Sequence, residues 1–305
     1  MWRKVVVSLL RTTLALVVVA TVCGAASGAG EPVKLHVGLS AAFTLSGGGA
    51  LWTSDHTGGR VARVDPAAGT VRAKIAVGGY PFGLAYGAGS LWVGSRYAAS
   101  VTRFSARTNR RQARIRVGNA PYALVFGGGS VWVSNEGSGT VSRIGPRRNR
   151  VIKTIRVGGQ PNGIAFAFGK VWVADYGRGR LIRIDPRRNR IERMISLTGA
   201  DWITASSDSL WVSSETGNVY RIDPATMTIR ASVAVGANPL ASALIDCTLW
   251  VPNIDSGTVS VVDPATNAVR KTITVGPSPI AVASAAGSAW VTSETDGDLW
   301  RLPAP

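Results

Sequence analysis

Residues 121–158 read PYALVFGGGSVWVSNEGSGTVSRIGPRRNRVIKTIRVG. The stretch holds four short runs of β-forming residues separated by turns of Gly, Ser, Asn, Pro and Arg, a pattern typical of four strands joined by hairpins. The same pattern recurs in seven copies, each with a tryptophan in its second run: Trp52, Trp92, Trp132, Trp172, Trp211, Trp250 and Trp290. Successive tryptophans lie 40, 40, 40, 39, 39 and 40 residues apart. Four strands on a period of about 40 residues predict one blade of a β-propeller for each copy.

The two ends of the repeat region predict how the ring closes. After Trp290 only a third run remains, at residues 299–302, and the fourth run of that copy is missing. A run of the missing kind stands at residues 33–37, where Val37 precedes Trp52 by the same 15 residues that separate Val77 from Trp92. We therefore predict an all-β fold, a seven-bladed β-propeller of four-stranded blades over residues 31–305, whose last blade is closed by the N-terminal strand 33–37.

Residues 1–30 have the pattern of a secretory signal peptide. Arg3, Lys4 and Arg11 give a basic start, an apolar stretch covers residues 14–22, and small residues follow at 24–29. The pattern predicts cleavage near residues 25–30 and a protein that is secreted or held in the cell envelope or periplasm, with no membrane span after cleavage. A lipid anchor at Cys23 is the alternative, although Val22 stands where such sites have a small residue.

Scarcity of cysteine and histidine excludes several classes of site. The 305 residues include two cysteines and two histidines, too few for a disulfide scaffold, a four-cysteine zinc site or a multi-histidine metal site. The Gly-rich turns are not followed by a helix or a lysine, and neither a nucleophile elbow nor a Cys/His pair occurs. We expect no catalytic residue, no metal ligand and no cofactor.

Two repeats carry a resemblance to a known family. Residues 131–158 and, more closely, Thr258-Val259-Ser260-Val261-Val262-Asp263-Pro264-Ala265-Thr266-Asn267 resemble the YVTN-type β-propeller repeat, and the likeness extends over residues 32–302. The resemblance implies an exported or surface protein, and some members of that family are linked to DNA or surface-layer binding. The chain is also similar to the seven-bladed streptogramin (virginiamycin B) lyases, which implies a metal-assisted His and Glu site; here only His36 and His56 exist, and no His-x-Glu or Glu-x-His pair occurs.

Binding residues are expected at one mouth of the central channel. In a propeller the connections from fourth to first strands and the loops between second and third strands surround this mouth, and loops on a rigid scaffold commonly carry function. Aromatic faces beside amides and carboxylates there suit a sugar, a peptide or a small polar ligand. Asp201-Trp202-Ile203 also breaks the Pro-x-Gly pattern of the other copies at this place. The candidates are Tyr80, Arg96, Tyr97, Asn135, Glu136, Gln160, Asn162, Asp175, Tyr176, Asp201, Trp202, Glu215 and Asn253.

Turn formation is the alternative role for part of this set. Asp55, Asn135, Asp175 and Asn253 all stand three residues after the repeated tryptophan, and Asn and Asp are common turn formers.

The net charge of +17 is concentrated in one part of the chain. Residues 101–200 hold 20 Lys and Arg against four Asp and Glu, whereas residues 201–305 hold five against ten. The pattern predicts a basic rim on the outer edge of three adjacent blades, in the turns between third and fourth strands: Arg110, Arg111, Arg147, Arg148, Arg150, Arg187, Arg188 and Arg190.

The function we favour is that of an exported, non-enzymatic binding or scaffold module. Its partner would be an anionic polymer, an envelope polysaccharide or a nucleic acid, or else a protein, and we expect a monomer. The alternative is a metal-dependent enzyme resembling the streptogramin lyases that acts on a small molecule at the channel mouth.

Overall fold

The computed structural model describes residues 33–303. The predicted signal peptide at residues 1–30, its cleavage point and Cys23 lie outside the described residues. No helix within residues 33–303 is long and apolar enough to span a membrane.

Seven four-stranded antiparallel sheets form a ring of blades. The strands of blades 1 to 3 are β2 (Ala41–Gly47), β3 (Ala50–Asp55), β4 (Arg60–Asp65), β5 (Thr70–Ala76); β6 (Pro81–Gly87), β7 (Ser90–Ser95), β8 (Ser100–Ser105), β9 (Arg111–Arg116); and β10 (Pro121–Gly127), β11 (Ser130–Asn135), β12 (Thr140–Gly145), β13 (Arg150–Arg156). Those of blades 4 and 5 are β14 (Pro161–Ala167), β15 (Lys170–Asp175), β16 (Arg180–Asp185), β17 (Arg190–Ser196); and β18 (Ala200–Ala205), β19 (Leu210–Ser214), β20 (Asn218–Ile222), β21 (Ile229–Ala234).

Blade 6 comprises β22 (Ala243–Ile245), β23 (Thr248–Asn253), β24 (Thr258–Asp263) and β25 (Ala268–Thr274). Blade 7 comprises β26 (Pro279–Ala285), β27 (Ser288–Ser293), β28 (Asp298–Pro303) and β1 (Val33–His36). The described helical structure is limited to two single 3-10 turns, Glu136–Ser138 and Tyr176–Arg178.

The N-terminal strand completes the last blade, as the sequence predicts. β1 pairs antiparallel with β28 in the register Val33 to Arg301 and His36 to Asp298. First strands of neighbouring blades are in contact, and β2 of blade 1 contacts β26 of blade 7, which closes the ring. The prediction of a seven-bladed all-β propeller closed by the N-terminal strand is confirmed.

The blades pack on one another through their inner strands. First and second strands are almost wholly buried, whereas fourth strands alternate between exposed and half-buried residues, as in Thr70–Ala76. The seven repeated tryptophans are 0 or 1% exposed, so they are core residues. The indole N–H of Trp132 donates to the carbonyl of Gly127 over 3.1 Å, which satisfies the buried donor within the blade.

A repeated arginine on the third strand joins successive blades. The Arg143 guanidinium carbon lies 4.7 Å from the centre of the Trp132 ring, in a cation–π contact. Its Nη1 donates to the carbonyl of Pro186 over 2.7 Å and to Oδ1 of Asn189 over 2.8 Å, both in the turn between third and fourth strands of the next blade. We call the arginines that reach the next blade in this way latch arginines: Arg63, Arg103, Arg143, Arg183 and Arg221.

The latch series stops where the ring closes. In blade 6 the same strand position, opposite Trp250, is occupied by Val261. The next blade is blade 7, whose third and fourth strands come from opposite ends of the chain and share no turn. Arginine at position 261 would have no such turn to bind, so the exception follows from the closure.

Candidate functional site

The predicted mouth lies on the face where second strands end and first strands begin. We call this the mouth face, and the opposite side, which carries the turns between third and fourth strands, the turn face. The connections are joined by backbone bonds such as Arg96 N–H to the Tyr80 carbonyl, at 3.0 Å. First strands carry a bulge just inside the mouth, and its free N–H is satisfied by a second-strand hydroxyl, as from Ala123 to Ser134 Oγ at 3.1 Å.

Aromatic rings fill the channel at the mouth. The Phe43 ring stacks on Trp202 with centres 5.0 Å apart, which joins blades 1 and 5 across the channel. Phe43 also meets Phe82 edge-on at 4.7 Å, and Phe82 meets Tyr122 edge-on at 5.0 Å. Phe43, Phe82 and Tyr122 are at most 9% exposed, whereas Trp202 is partly exposed. These four rings form an aromatic floor.

Asp201 and Asn162 complete this floor with polar groups. The Asn162 amide nitrogen donates to Asp201 Oδ1 over 2.9 Å, and both side chains are buried. Burial, with added repulsion from Glu136 and Glu215, raises the pKa of Asp201 to about 6, against the opposing effect of the Asn162 N–H. The carboxyl therefore titrates close to neutrality in the folded protein. Burial and the nearby Asp201 charge also raise the pKa of Tyr122 well above its usual value.

Arg96 covers one side of the aromatic floor. Its guanidinium carbon lies 5.1 Å from the Phe82 ring centre and 5.2 Å from that of Tyr122. It forms an ion pair with Glu136, and both side chains are about one-fifth exposed. The mouth thus holds a guanidinium between aromatic faces and a carboxylate.

A second pair lies next to Arg96. His56 Nε2 is 3.0 Å from Glu294 Oε1, and the His56 ring centre is 4.3 Å from that of Tyr80. Tyr80 in turn packs on Tyr97, which is 78% exposed. Tyr80 adopts a left-handed backbone with φ of 62°, a conformation uncommon for a bulky residue, which directs its ring into this cluster. Burial, followed by the Glu294 charge, raises the pKa of Tyr80.

Glu215 faces the other side of the mouth. The Tyr176 hydroxyl donates to Glu215 Oε2 over 2.5 Å, which raises the pKa of Tyr176. The charge of Glu215 also raises the pKa of Asp201, so the two carboxyls lie near each other.

The structure therefore brings together Tyr80, Arg96, Tyr97, Glu136, Asn162, Tyr176, Asp201, Trp202 and Glu215. It does not place the other four candidates on the floor. Gln160 is an exposed connector residue whose N–H donates to Asp175.

Asn135, Asp175 and Asn253 are the three candidates whose side chains are fully buried. All three are 0% exposed. Asn135 donates to Thr140 and Ser142, while Asp175 forms an ion pair with Arg180. Asn253 repeats the Asn135 pattern with Thr258 and Ser260. Each side chain is bound within its own loop by these contacts, the turn-forming role left open by the sequence, although Oδ1 of Asn135 and of Asn253 has no hydrogen-bond partner within residues 33–303.

Some residues of the mouth are missing from the predicted site. Phe43, Phe82 and Tyr122 belong to it by the contacts above. One signal could have found two of them: Phe82 and Tyr122 are the large residues directly after Pro81 and Pro121, where the first strand enters the channel.

The basic rim is placed on the turn face, away from the mouth. All eight predicted arginines are exposed. Within residues 33–303, Arg188 alone among them has an ion-pair partner, Asp185, at 3.5 Å.

Outer-strand arginines elsewhere in the ring are neutralised. Arg72, Arg230 and Arg270 each pair with the Asp seven residues earlier, at 2.8, 2.5 and 2.5 Å. Backbone N–H groups and the Arg230 guanidinium lower the pKa of Asp223 to about 2. Blades 2 and 3 have Ser105 and Gly145 at the position of that Asp, so their turns supply no counter-charge.

Two grooves on the turn face are lined by rim arginines. One of about 540 Å³ in blade 3 includes Arg147, Arg148 and the exposed Ile152. Another of about 420 Å³ in blade 4 includes Arg187, Arg188 and Lys170. Across residues 33–303, no group of three or more His, Cys, Asp and Glu side chains is placed to hold a metal ion.

Comparison with known proteins is informative for the fold. The chain matches no family model and no curated protein, so the YVTN-type resemblance stays a prediction. It is similar to the Kuenenia stuttgartiensis hydrazine synthase structure, with a TM-score of 0.77 and 14% identity over 89% of this chain and 97% of that one. It is also similar to a streptogramin B lyase structure, with a TM-score of 0.78 and 14% identity over 89% and 96% of the two chains. At this identity the likeness shows a shared propeller fold and carries no activity across.

Proposed function

We propose that the protein is an exported binding module, related to the YVTN-type propellers, whose basic rim docks on an anionic polymer of the cell envelope. The observation that carries this proposal is the contrast in charge between the arcs of the ring. Rim arginines of blades 2 to 4 are exposed and almost all unpaired, whereas Arg72, Arg230 and Arg270 are each neutralised by an aspartate. Clustered, unneutralised charge on one arc attracts a polyanion at long range.

Latch arginines support the proposal because they hold the rim in place. Arg63, Arg103 and Arg143 bind the turns of blades 2, 3 and 4, the three turns that carry the rim. A charged surface held rigid before binding loses less conformational entropy when it docks. The groove in blade 3 offers apolar contact beside the charges, through Pro146 and Ile152.

A salt titration with matched variants tests the proposal. The probes are heparin, as a soluble anionic polysaccharide, and a DNA duplex of similar charge. One variant carries Arg147→Gln, Arg148→Gln and Arg150→Gln; its control carries Arg72→Gln, Arg230→Gln and Arg270→Gln, with the same change of net charge. We expect the first variant to reduce the steepness of the fall of log K with log salt by about 2 to 3, because each lost arginine contact no longer releases counterions from the polymer. The control should change the slope by less than about 1.

Three outcomes would overturn the proposal or part of it. Absence of heparin binding at low salt removes the polymer function. Equal weakening in both triple variants means that net charge acts, and not the rim. If the protein binds the duplex more tightly than heparin, the partner is a nucleic acid and not a polysaccharide.

A further inference from the structure

The mouth has a binding chemistry that the basic rim does not explain. It combines an aromatic floor with four carboxyl groups, Asp201, Glu136, Glu215 and Glu294, in a protein whose net charge is strongly positive. All four are close enough to affect the titration of Tyr122 or Asp201. The space they share is therefore acidic and partly apolar, on the face opposite the basic rim.

A buried acceptor in this space lacks a donor. Asn162 is 5% exposed, its nitrogen donates to Asp201, and its Oδ1 has no hydrogen-bond partner within residues 33–303. Asn162 has the same register position on its first strand as Phe82 and Tyr122, whose rings fill the channel, so its side chain also points into the channel. An unpaired buried carbonyl is costly, and a ligand N–H would satisfy it.

The mouth already contains one cationic side chain, Arg96, held by aromatic rings and a carboxylate. The Arg96 guanidinium lies on Phe82 and Tyr122 and is paired with Glu136. The other half of the floor has the same kinds of group, an aromatic ring and carboxyls. They are the partly exposed Trp202, the carboxyl of Asp201, and the carboxyl of Glu215 at the edge of the mouth. Within the described chain this half has no cation paired with Asp201 or Glu215.

We propose that this half of the mouth binds a small organic cation with N–H donors, a primary ammonium or guanidinium compound. Trp202 supplies the aromatic face, and the ligand donates to Asp201 and to the free Oδ1 of Asn162. Glu215 adds a longer-range attraction from the edge. A quaternary ammonium lacks the N–H that Asn162 requires, and a neutral sugar leaves the buried carboxylate uncompensated.

The pH dependence of binding follows from the groups around Asp201. Its titration is set by burial, by the Asn162 N–H, and by the charges of Glu136 and Glu215. Asp201 must be ionised to pair with a cation, and its pKa is about 6. Affinity should therefore rise about tenfold between pH 5 and 7, a range in which the ligand keeps its charge.

Calorimetric titration of the purified protein tests this site. The probes are benzamidine and benzylamine, with benzamide and benzyl alcohol as neutral counterparts of the same shape. We expect the cations to bind at least about tenfold more tightly than their counterparts, and Asp201→Asn to lower cation affinity by about tenfold or more. Asp255→Asn removes one charge from an exposed loop of the same face and should change affinity less than about twofold.

Several results would overturn the proposal. Neutral compounds that bind as tightly as the cations, or equal effects of Asp201→Asn and Asp255→Asn, would remove the cation site. If Asp201→Asn does not fold, the wild-type pH series decides, because affinity independent of pH between 5 and 7 contradicts a role for Asp201. None of these variants alters the rim, so the polymer and cation proposals fail separately.

Discussion

Replacing Arg143 by alanine should destabilise the ring through two neighbouring blades at once. The substitution removes the cation–π contact with Trp132 at 4.7 Å and the bond from Nε to Ser130 Oγ at 2.9 Å within blade 3. It also removes the bonds to Pro186 and Asn189 at 2.7 and 2.8 Å, and leaves those acceptors partly buried. A hydrogen bond from a charged donor contributes about 1.5–3 kcal/mol and a cation–π contact about 0.5–2 kcal/mol. Because one nitrogen makes both interblade bonds, we expect a total loss of about 3–5 kcal/mol.

Arg301 provides the matched control. It keeps the ring contact with Trp290 at 5.5 Å and the bond to Ser288 at 3.0 Å, without a hydrogen bond to the next blade within residues 33–303. Arg301→Ala should therefore cost about 1.5–3 kcal/mol less than Arg143→Ala, the contribution of the missing interblade bonds. Arg63→Ala should cost about as much as Arg301→Ala, because Arg63 also makes one hydrogen bond, to Asn109 at 3.0 Å, and one ring contact, with Trp52 at 5.2 Å.

Urea unfolding followed by tryptophan fluorescence measures these differences, with the slope of free energy against urea checked for constancy. Arg143→Lys keeps the charge but loses the planar fork, so it should recover less than half of the stability lost in Arg143→Ala. The reasoning is refuted if Arg143→Ala and Arg301→Ala differ by less than about 1 kcal/mol, because the two interblade bonds would then contribute nothing measurable.

Two further predictions concern the mouth. Because the pKa of Asp201 is raised to about 6, the folded state binds this proton more tightly than the unfolded state, so the stability it contributes below pH 4 is lost as pH rises to 6. In urea titrations, the free energy of unfolding of Asp201→Asn should thus rise by about 3 kcal/mol relative to wild type between pH 4 and 7. Asp255→Asn should follow wild type over the same range. A difference between Asp201→Asn and wild type that does not change with pH contradicts this prediction. Phe43→Ala removes a 4% exposed ring that contacts Trp202 and should lower the free energy of unfolding by about 3–5 kcal/mol. The control Phe168→Ala, at a 42% exposed ring, should lower it by less than about 0.5 kcal/mol. Equal melting temperatures of the two variants would show that the stacked rings are not part of the core.

The fold could be predicted because its signal is repeated. Seven tryptophans on a nearly constant spacing fix the blade count, and the position of the run at 33–37 fixes the closure. A common role for the third-strand arginines was also predictable from their period. Their partners were not, because Arg143 binds Pro186 and Asn189, which lie 43 and 46 residues later and depend on how neighbouring blades pack.

The mouth was predictable in place but not in detail. The break at Asp201-Trp202 indicated a special first strand, and the structure places Trp202 at the position that Gly163 holds in blade 4. Asn135 and Asn162 are both asparagines near the mouth, yet the Asn135 nitrogen donates to Thr140 and Ser142 of its own loop, whereas the Asn162 nitrogen donates to Asp201 of the next blade.

In the described part of the chain, the gap in the latch series leaves the two interfaces of blade 7 without an interblade arginine bond, whereas the other blades are joined by such bonds. Blade 7 receives no guanidinium from blade 6, which has Val261, and within residues 33–303 Arg301 donates none to blade 1. Local opening of the ring should therefore begin at blade 7, where the two chain ends meet. Blades 2 to 4, which carry the basic rim, are latched on both sides. A pulling force from a polymer bound to the basic rim would therefore act on the latched blades 2 to 4, and little of it would reach blade 7, where the ring closes.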